Sequence, residues 1–166
     1  TESDEEDSAE ESMEIVGAIP YDYEQELNII DDNYRNYYEI FVYSFYDSDG
    51  DGIGDLNGVT EKLDYIQDMG FNGIWLMPIM QSTTYHKYDI TDYYAIDKEY
   101  GTIEDFERLV EECHQRDMRI IIDFVINHTS SSHEWFTQAC DYLKQLPEGE
   151  DPDLDECPYV DYYHFS

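Results

Sequence analysis

Arg119-Ile-Ile-Ile-Asp123-Phe-Val-Ile126 is an unbroken apolar, β-branched run interrupted by a single carboxylate. Its length and composition predict a buried strand over residues 119–126. Two similar runs precede it, Ile40-Phe-Val-Tyr43 and Gly73-Ile-Trp-Leu-Met77, the second closed by Pro78. Between the first two, residues 59–69 set Leu63, Ile66 and Met69 at helical spacing, and Gly70 stops the helix. Before the third, Thr102 is an N-cap with Asp105 three residues on. Ile103, Phe106, Leu109, Val110 and Cys113 then share one helical face. The expected order is strand–helix–strand–helix–strand, an α/β arrangement. Strands apolar throughout are read as buried on both faces, in a parallel sheet covered by helices. An open doubly wound sheet and a barrel fit this pattern equally well.

Around that frame lie less regular segments. Residues 81–100 read as a long polar and aromatic loop. Beyond His128 a helix is expected over 134–143, followed by an acidic, proline-containing loop. A sheet of three parallel strands has an open edge that nothing in the sequence covers, so an incomplete domain is expected. Residues 1–36 read as an acidic, disordered leader, since the first fourteen carry eight acids and the first basic residue is Arg35. Such a leader suits the spacer behind a removed export signal, which gives an extracellular or cell-surface location by bacterial export as the expectation.

The net charge is −33, from 41 acids against eight Lys and Arg. A surface this acidic repels phosphate backbones and anionic membranes, which excludes nucleic acid as a natural partner and favours a neutral ligand or a cation. No apolar stretch approaches membrane-spanning length. Of three cysteines, Cys113 falls on the buried helical face, while Cys140 and Cys157 are placed to pair in an exported protein or to stay free.

Three clusters carry chemistry. Asp47, Asp49, Asp51 and Asp55 alternate with Gly50, Gly52 and Gly54, giving hard oxygen ligands on a backbone free to curl, as calcium requires. An EF-hand is rejected, because its twelfth position is Gly58 and a strand precedes the loop. The second cluster is Tyr85-His86-Lys87-Tyr88-Asp89 with Asp92-Tyr93-Tyr94. Aromatic rings there can stack on sugar rings while His and Asp serve hydroxyls, although Tyr93 and Tyr94 are better read as packing over the sheet end. The third is Asp123 with Asn127 and His128. Burying Asp123 is expensive without partners, so it is either a satisfied structural group or a site residue. All three clusters lie at or just past strand carboxyl ends, where parallel sheets bind ligands.

Four stretches, 38–56 (YEIFVYSFYDSDGDGIGDL), 70–78 (GFNGIWLMP), 85–101 (YHKYDITDYYAIDKEYG) and 123–128 (DFVINH), resemble in order and spacing the opening motifs of the alpha-amylase family, glycoside hydrolase family 13. The resemblance implies the first three β/α units of a (β/α)₈ TIM barrel over 37–128 and the start of an inserted domain B over 129–166. It implies calcium held by Asp47, Asp49, Asp51, Asp55 and the Ile53 carbonyl, as in oligo-1,6-glucosidase and neopullulanase-like members. It also implies an alpha-glucan or malto-oligosaccharide substrate bound by His86, Tyr88, Asp123 and His128, with Tyr88 stacking on the sugar at the cleavage subsite. Asn127 is similar to a ligand of a second calcium ion in classical alpha-amylases. Lys87 departs from the family's frequent His-Gly-Tyr. The activity implied is retaining hydrolysis of alpha-glucosidic bonds, or else transglycosylation or isomerisation on the same fold, or a non-catalytic binding protein. The family's catalytic carboxylates lie on later strands, so none is expected in these residues.

Overall fold

The computed structural model describes residues 34–165. The leader expected over 1–36 lies outside the described residues up to Asn33. Its last residues, Arg35 and Asn36, are anchored: Arg35 donates to the carbonyls of Asn72 and Asp117, and the Asn36 amide donates to the Asn72 side chain.

Three parallel strands form the central sheet in the order β1 (Tyr37–Ile40), β2 (Gly73–Leu76) and β5 (Arg119–Ile122). In register, Ile40 pairs with Leu76 and Leu76 with Ile122, while Glu39 pairs with Trp75 and Trp75 with Ile121. Paired residues share a face, so these are two rows on opposite sides of the sheet. Ile40, Ile74 and Leu76 face a core with Leu56, Val59, Leu63, Ile66, Leu109 and Cys113, all 1% exposed or less. The other row is open among the described residues, with Trp75 39% and Ile121 42% exposed. Burial on both faces was the expectation for the complete sheet, and among the described residues one face is covered while the other is open, as an incomplete barrel leaves it. Composition reports how apolar a strand is, but the covering layer must come from elsewhere in the fold.

Several element bounds also differ from expectation. The first strand ends at Ile40, because the chain turns at Val42–Ser44 into a 3₁₀ helix closed by the Phe45 amide on the Val42 carbonyl. The helix expected over 59–69 is two short ones, α1 (Leu56–Glu61) and α2 (Leu63–Asp68), broken at Lys62. Gly70, with φ +92°, ends α2 as anticipated. The aromatic loop contains an antiparallel pair, β3 (Met80–Ser82) and β4 (Ile90–Ile96). Register shifts between these strands blur the alternation by which a hairpin is recognised in sequence. The third strand stops at Ile122, although the Asp123 amide still donates to the Leu76 carbonyl.

The helix α3 (Ile103–Gln115) begins with a full capping box: the Thr102 hydroxyl accepts from the Asp105 amide, and the Asp105 carboxylate accepts from the Thr102 amide. Its Cys113 is fully buried, which pushes the thiol up to about 12. Cys140 and Cys157 stay unpaired. No described helix is long and apolar enough to cross a membrane.

The last helix, α4 (Glu134–Gln145), is capped by His133, whose Nδ1 accepts from the Trp135 amide at 3.1 Å. The His133 ring is 3% exposed and packs 4.4 Å from the Trp135 ring. Burial lowers its pKa, opposed by the charges of Asp92 and Glu134. A depressed folded-state pKa means that the neutral ring stabilises the fold fully above the ordinary value of about 6.5, and that this contribution is lost as pH falls through the folded value. In the full-length protein, His133→Asn keeps a capping oxygen and removes the titration. Denaturant midpoints should therefore show wild type ahead of the variant at pH 7.5, with the gap closing below pH 6. A gap independent of pH would contradict this account of His133.

Candidate functional site

Asp123 lies two residues beyond Ile121 and so extends the open row of the sheet. Both of its oxygens are taken. The Trp75 indole N–H donates to Oδ1 at 3.0 Å, and the Tyr88 hydroxyl donates to Oδ2 at 2.5 Å. These two donors answer the cost of placing a carboxylate at the end of an apolar strand. The same bond, with lesser help from burial, pushes the Tyr88 phenol up to about 12. Tyr88 therefore remains protonated and a donor at any ordinary pH.

His86 stands beside Tyr88, ring centroids 6.0 Å apart. Its Nδ1 accepts from the Tyr88 amide at 3.1 Å, so in the neutral ring Nε2 carries the proton and is the donor left for a ligand. Tyr85 packs edge-on against His86 at 5.4 Å and against Phe41 and Tyr43 at 6.1 Å each. The assembly is an aromatic wall with a fixed carboxylate, a phenol and an imidazole donor at the carboxyl ends of parallel strands.

Lys87, between the two site residues, has φ +63°, a region costly for any residue with a β-carbon. Its side chain is buried, with Nζ 3.1 Å from Asp97 and 2.5 Å from Glu99.

His128 and Asn127 follow Asp123 by five and four residues and line a groove. Their side chains lie together, Asn127 Nδ2 3.3 Å from His128 Nδ1, on an apolar groove shared with Tyr93, Phe124, Ile126 and Trp135. Tyr93 packs as expected: its hydroxyl donates to the carbonyls of Val125 and His128, and its ring stacks on Trp135. Tyr94 does not pack over the sheet end, being 87% exposed. Residues 92–94 belong to β4, whose alternation sends neighbouring side chains to opposite faces.

In the acidic loop, carboxylate oxygens of Asp47, Asp49 and Asp55 lie within 4.8 Å of one another. Asp47 accepts from the amides of Gly50 and Gly52, which holds its carboxyl below the ordinary value. Positive φ at both glycines, +86° and +97°, permits that curl. Asp55 has a second task as N-cap of α1, accepting from Gly58 and Ser48. The Asp51 carboxylate falls outside the trio and accepts from the Ile53 amide. Three clustered hard oxygens suit a calcium-type cation. Trp75 escaped the sequence reading because an indole in an apolar run counts as filler. Its signal was its register opposite Ile121, on the strand that leads into Asp123.

The family model described as "Alpha amylase, catalytic domain" matches residues 39–166. Alpha-amylase 3 of Dictyoglomus thermophilum is 47% identical over 135 residues, covering 80% of this chain and 25% of that protein. Maltase A1 of Drosophila melanogaster is 57% identical over 107 residues, covering 64% and 18%. The solved structure of Eubacterium rectale Amy13B superposes with TM-score 0.79 at 68% identity, covering 84% of this chain and 27% of that one. The chain thus spans about a quarter or less of the length of these relatives. With the parallel β1–β2–β5 sheet and its helices, these likenesses establish that the chain belongs to the alpha-amylase family and holds part of that family's barrel domain.

Proposed function

We propose that the full-length protein is an enzyme acting on alpha-glucosidic bonds of starch-like glucans or oligosaccharides, and that His86, Tyr88 and Asp123 bind the sugar at the bond to be cleaved. The observation that carries this is the double engagement of Asp123 by Tyr88 and Trp75 at the strand ends, beside an imidazole donor. A carboxylate whose two oxygens already accept strong hydrogen bonds is a poor nucleophile and a good fixed acceptor for sugar hydroxyls. Asp123 is therefore a binding group. Retaining hydrolysis also requires a nucleophilic carboxylate and an acid/base carboxyl about 5–5.5 Å apart, for which Asp123 is not a candidate. His128 and the apolar groove around it supply a further stretch of the same substrate surface. Residues 37–128 are assigned to the barrel and 129–166 to the start of domain B. Export to the cell exterior is part of the proposal, resting on the acidic, serine-containing stretch 1–14.

The relatives include "Trehalose synthase/amylase TreS" of Mycolicibacterium smegmatis and an isomaltulose synthase from Erwinia rhapontici, which makes sugar transfer or isomerisation the second reading. Incubating the full-length protein with maltoheptaose and resolving products by chromatography separates the two. Shorter oligosaccharides alone indicate hydrolysis, products longer than the substrate or of new linkage indicate transfer, and no conversion contradicts both.

Calcium belongs to the acidic loop, with Asp47, Asp49 and Asp55 as side-chain ligands and the Ile53 carbonyl and Asp51 completing the shell. Binding to the native state alone stabilises by about 2.7 kcal/mol at a hundredfold excess over Kd. Melting of the full-length protein should therefore shift upward by several degrees on replacing EDTA with calcium, and Asp49→Asn should abolish the shift. Equal melting temperatures in EDTA and calcium would contradict the assignment.

A further inference from the structure

Resting on the sugar-binding reading above, we propose that Lys87 is a positioning residue that fixes His86 and Tyr88 against the substrate, its buried ammonium anchoring their segment to the end of β4. The backbone at Lys87 is left-handed, which is what allows the Tyr88 amide to turn back and donate to His86 Nδ1 across the lysine. A residue with a β-carbon resists that conformation, so something must hold it there. The holding group is on the same residue. The Lys87 side chain is 3% exposed and its Nζ reaches Asp97 and Glu99, with the Tyr100 ring 5.1 Å away.

Asp97 is equally buried, and its anchorage is firm. It also accepts from the amides of Ser82 and Glu99, and its own amide donates to the Ile79 carbonyl. One carboxylate therefore ties together β3, the end of β4 and the turn that carries the site. The Lys87 amide adds a second tie, to the Thr84 carbonyl. Without the ammonium, the backbone at residue 87 is free to relax from its φ of +63° toward negative φ, which rotates the Tyr88 hydroxyl away from Asp123 and the His86 Nε2–H away from the sugar.

The test is a double-mutant cycle on the full-length enzyme, with kcat/KM on a malto-oligosaccharide as the readout. Lys87→Met should lower kcat/KM about tenfold or more in the wild-type background, since a misplacement of the order of 1 Å is enough. With Tyr88→Phe and His86→Ala taken together as the second member of the cycle, a background that lacks both groups Lys87 positions, the same change should cost under about threefold. The same tenfold loss in both backgrounds would overturn the proposal, because a merely structural lysine does not distinguish them. Glu99→Gln, at the half-exposed partner, gives a milder version of the cycle should Lys87→Met fail to fold. If the wild-type protein converts no glucan, the sugar-binding reading fails separately. A crystal structure of the Glu99→Gln or Lys87→Met variant then decides the positioning role. An intact Tyr88–Asp123 bond and unchanged φ at residue 87 would overturn it, and a broken bond would support it.

Discussion

Asp123→Ala in the full-length protein is expected to lower kcat/KM on malto-oligosaccharides by about a hundredfold or more, with little loss of stability. Hydrogen bonds to a charged group are worth about 1.5–3 kcal/mol each, and every 1.4 kcal/mol is tenfold in rate. The substitution removes the acceptor proposed for the sugar and also frees two donors, Tyr88 Oη and Trp75 Nε1. Both point at the proposed sugar site, which is open to water when no sugar is bound, so neither is left as a buried unsatisfied group and folding is spared. Asp123→Asn separates charge from shape, keeping one acceptor for Tyr88 or Trp75 and losing the other. Its activity should fall between those of wild type and Asp123→Ala. Steady-state kinetics with denaturant midpoints checks both halves. A variant with wild-type kcat/KM would remove Asp123 from the substrate site, and one that loses activity only because it unfolds would make it a structural residue.

Gly54→Ala is expected to destabilise the full-length protein by about 3 kcal/mol, the upper part of the range for overpacking. A β-carbon at this position would sit 2.0 Å from the Val42 carbonyl oxygen and 3.1 Å from the Phe45 amide, both backbone atoms of the turn after β1. Neither can swing aside as a flexible side chain would. The loop is pinned at that point by the Gly54 amide donating to the Tyr43 carbonyl at 2.8 Å. Displacement would also carry Asp55 away from Asp47 and Asp49, so calcium-dependent stabilisation should weaken in parallel. Gly50→Ala is the control. Space is open there and only its φ of +86° opposes the change, so its cost should be near 1 kcal/mol. Equal midpoints for wild type and Gly54→Ala would contradict the packing argument.

The parallel α/β frame was legible because its strands are apolar and its helices amphipathic, with Gly70 and the Thr102–Asp105 capping box marking ends by local chemistry. Strand one was misplaced because Ile40-Phe-Val-Tyr43 has the composition of a strand, while the turn at Val42–Ser44 depends on tertiary docking of Gly54. The β3–β4 hairpin was hidden by its irregular register. Within the site, a carboxylate in an apolar run announced Asp123, and the Tyr-His-Lys-Tyr cluster announced the aromatic wall. What the linear order could not supply was which groups meet. Trp75 precedes Asp123 by 48 residues and touches it only through strand register, and Lys87 finds Asp97 only once β4 has folded back on β3.

The most direct test of the sugar-binding unit is a crystal structure of the full-length protein with a bound malto-oligosaccharide. A glucosyl ring lying against Tyr88, with hydroxyls accepting from His86 Nε2 and donating to Asp123 while the Trp75 bond persists, is the predicted result. An oligosaccharide bound away from Tyr88 and Asp123, with this face of the sheet empty, would contradict it.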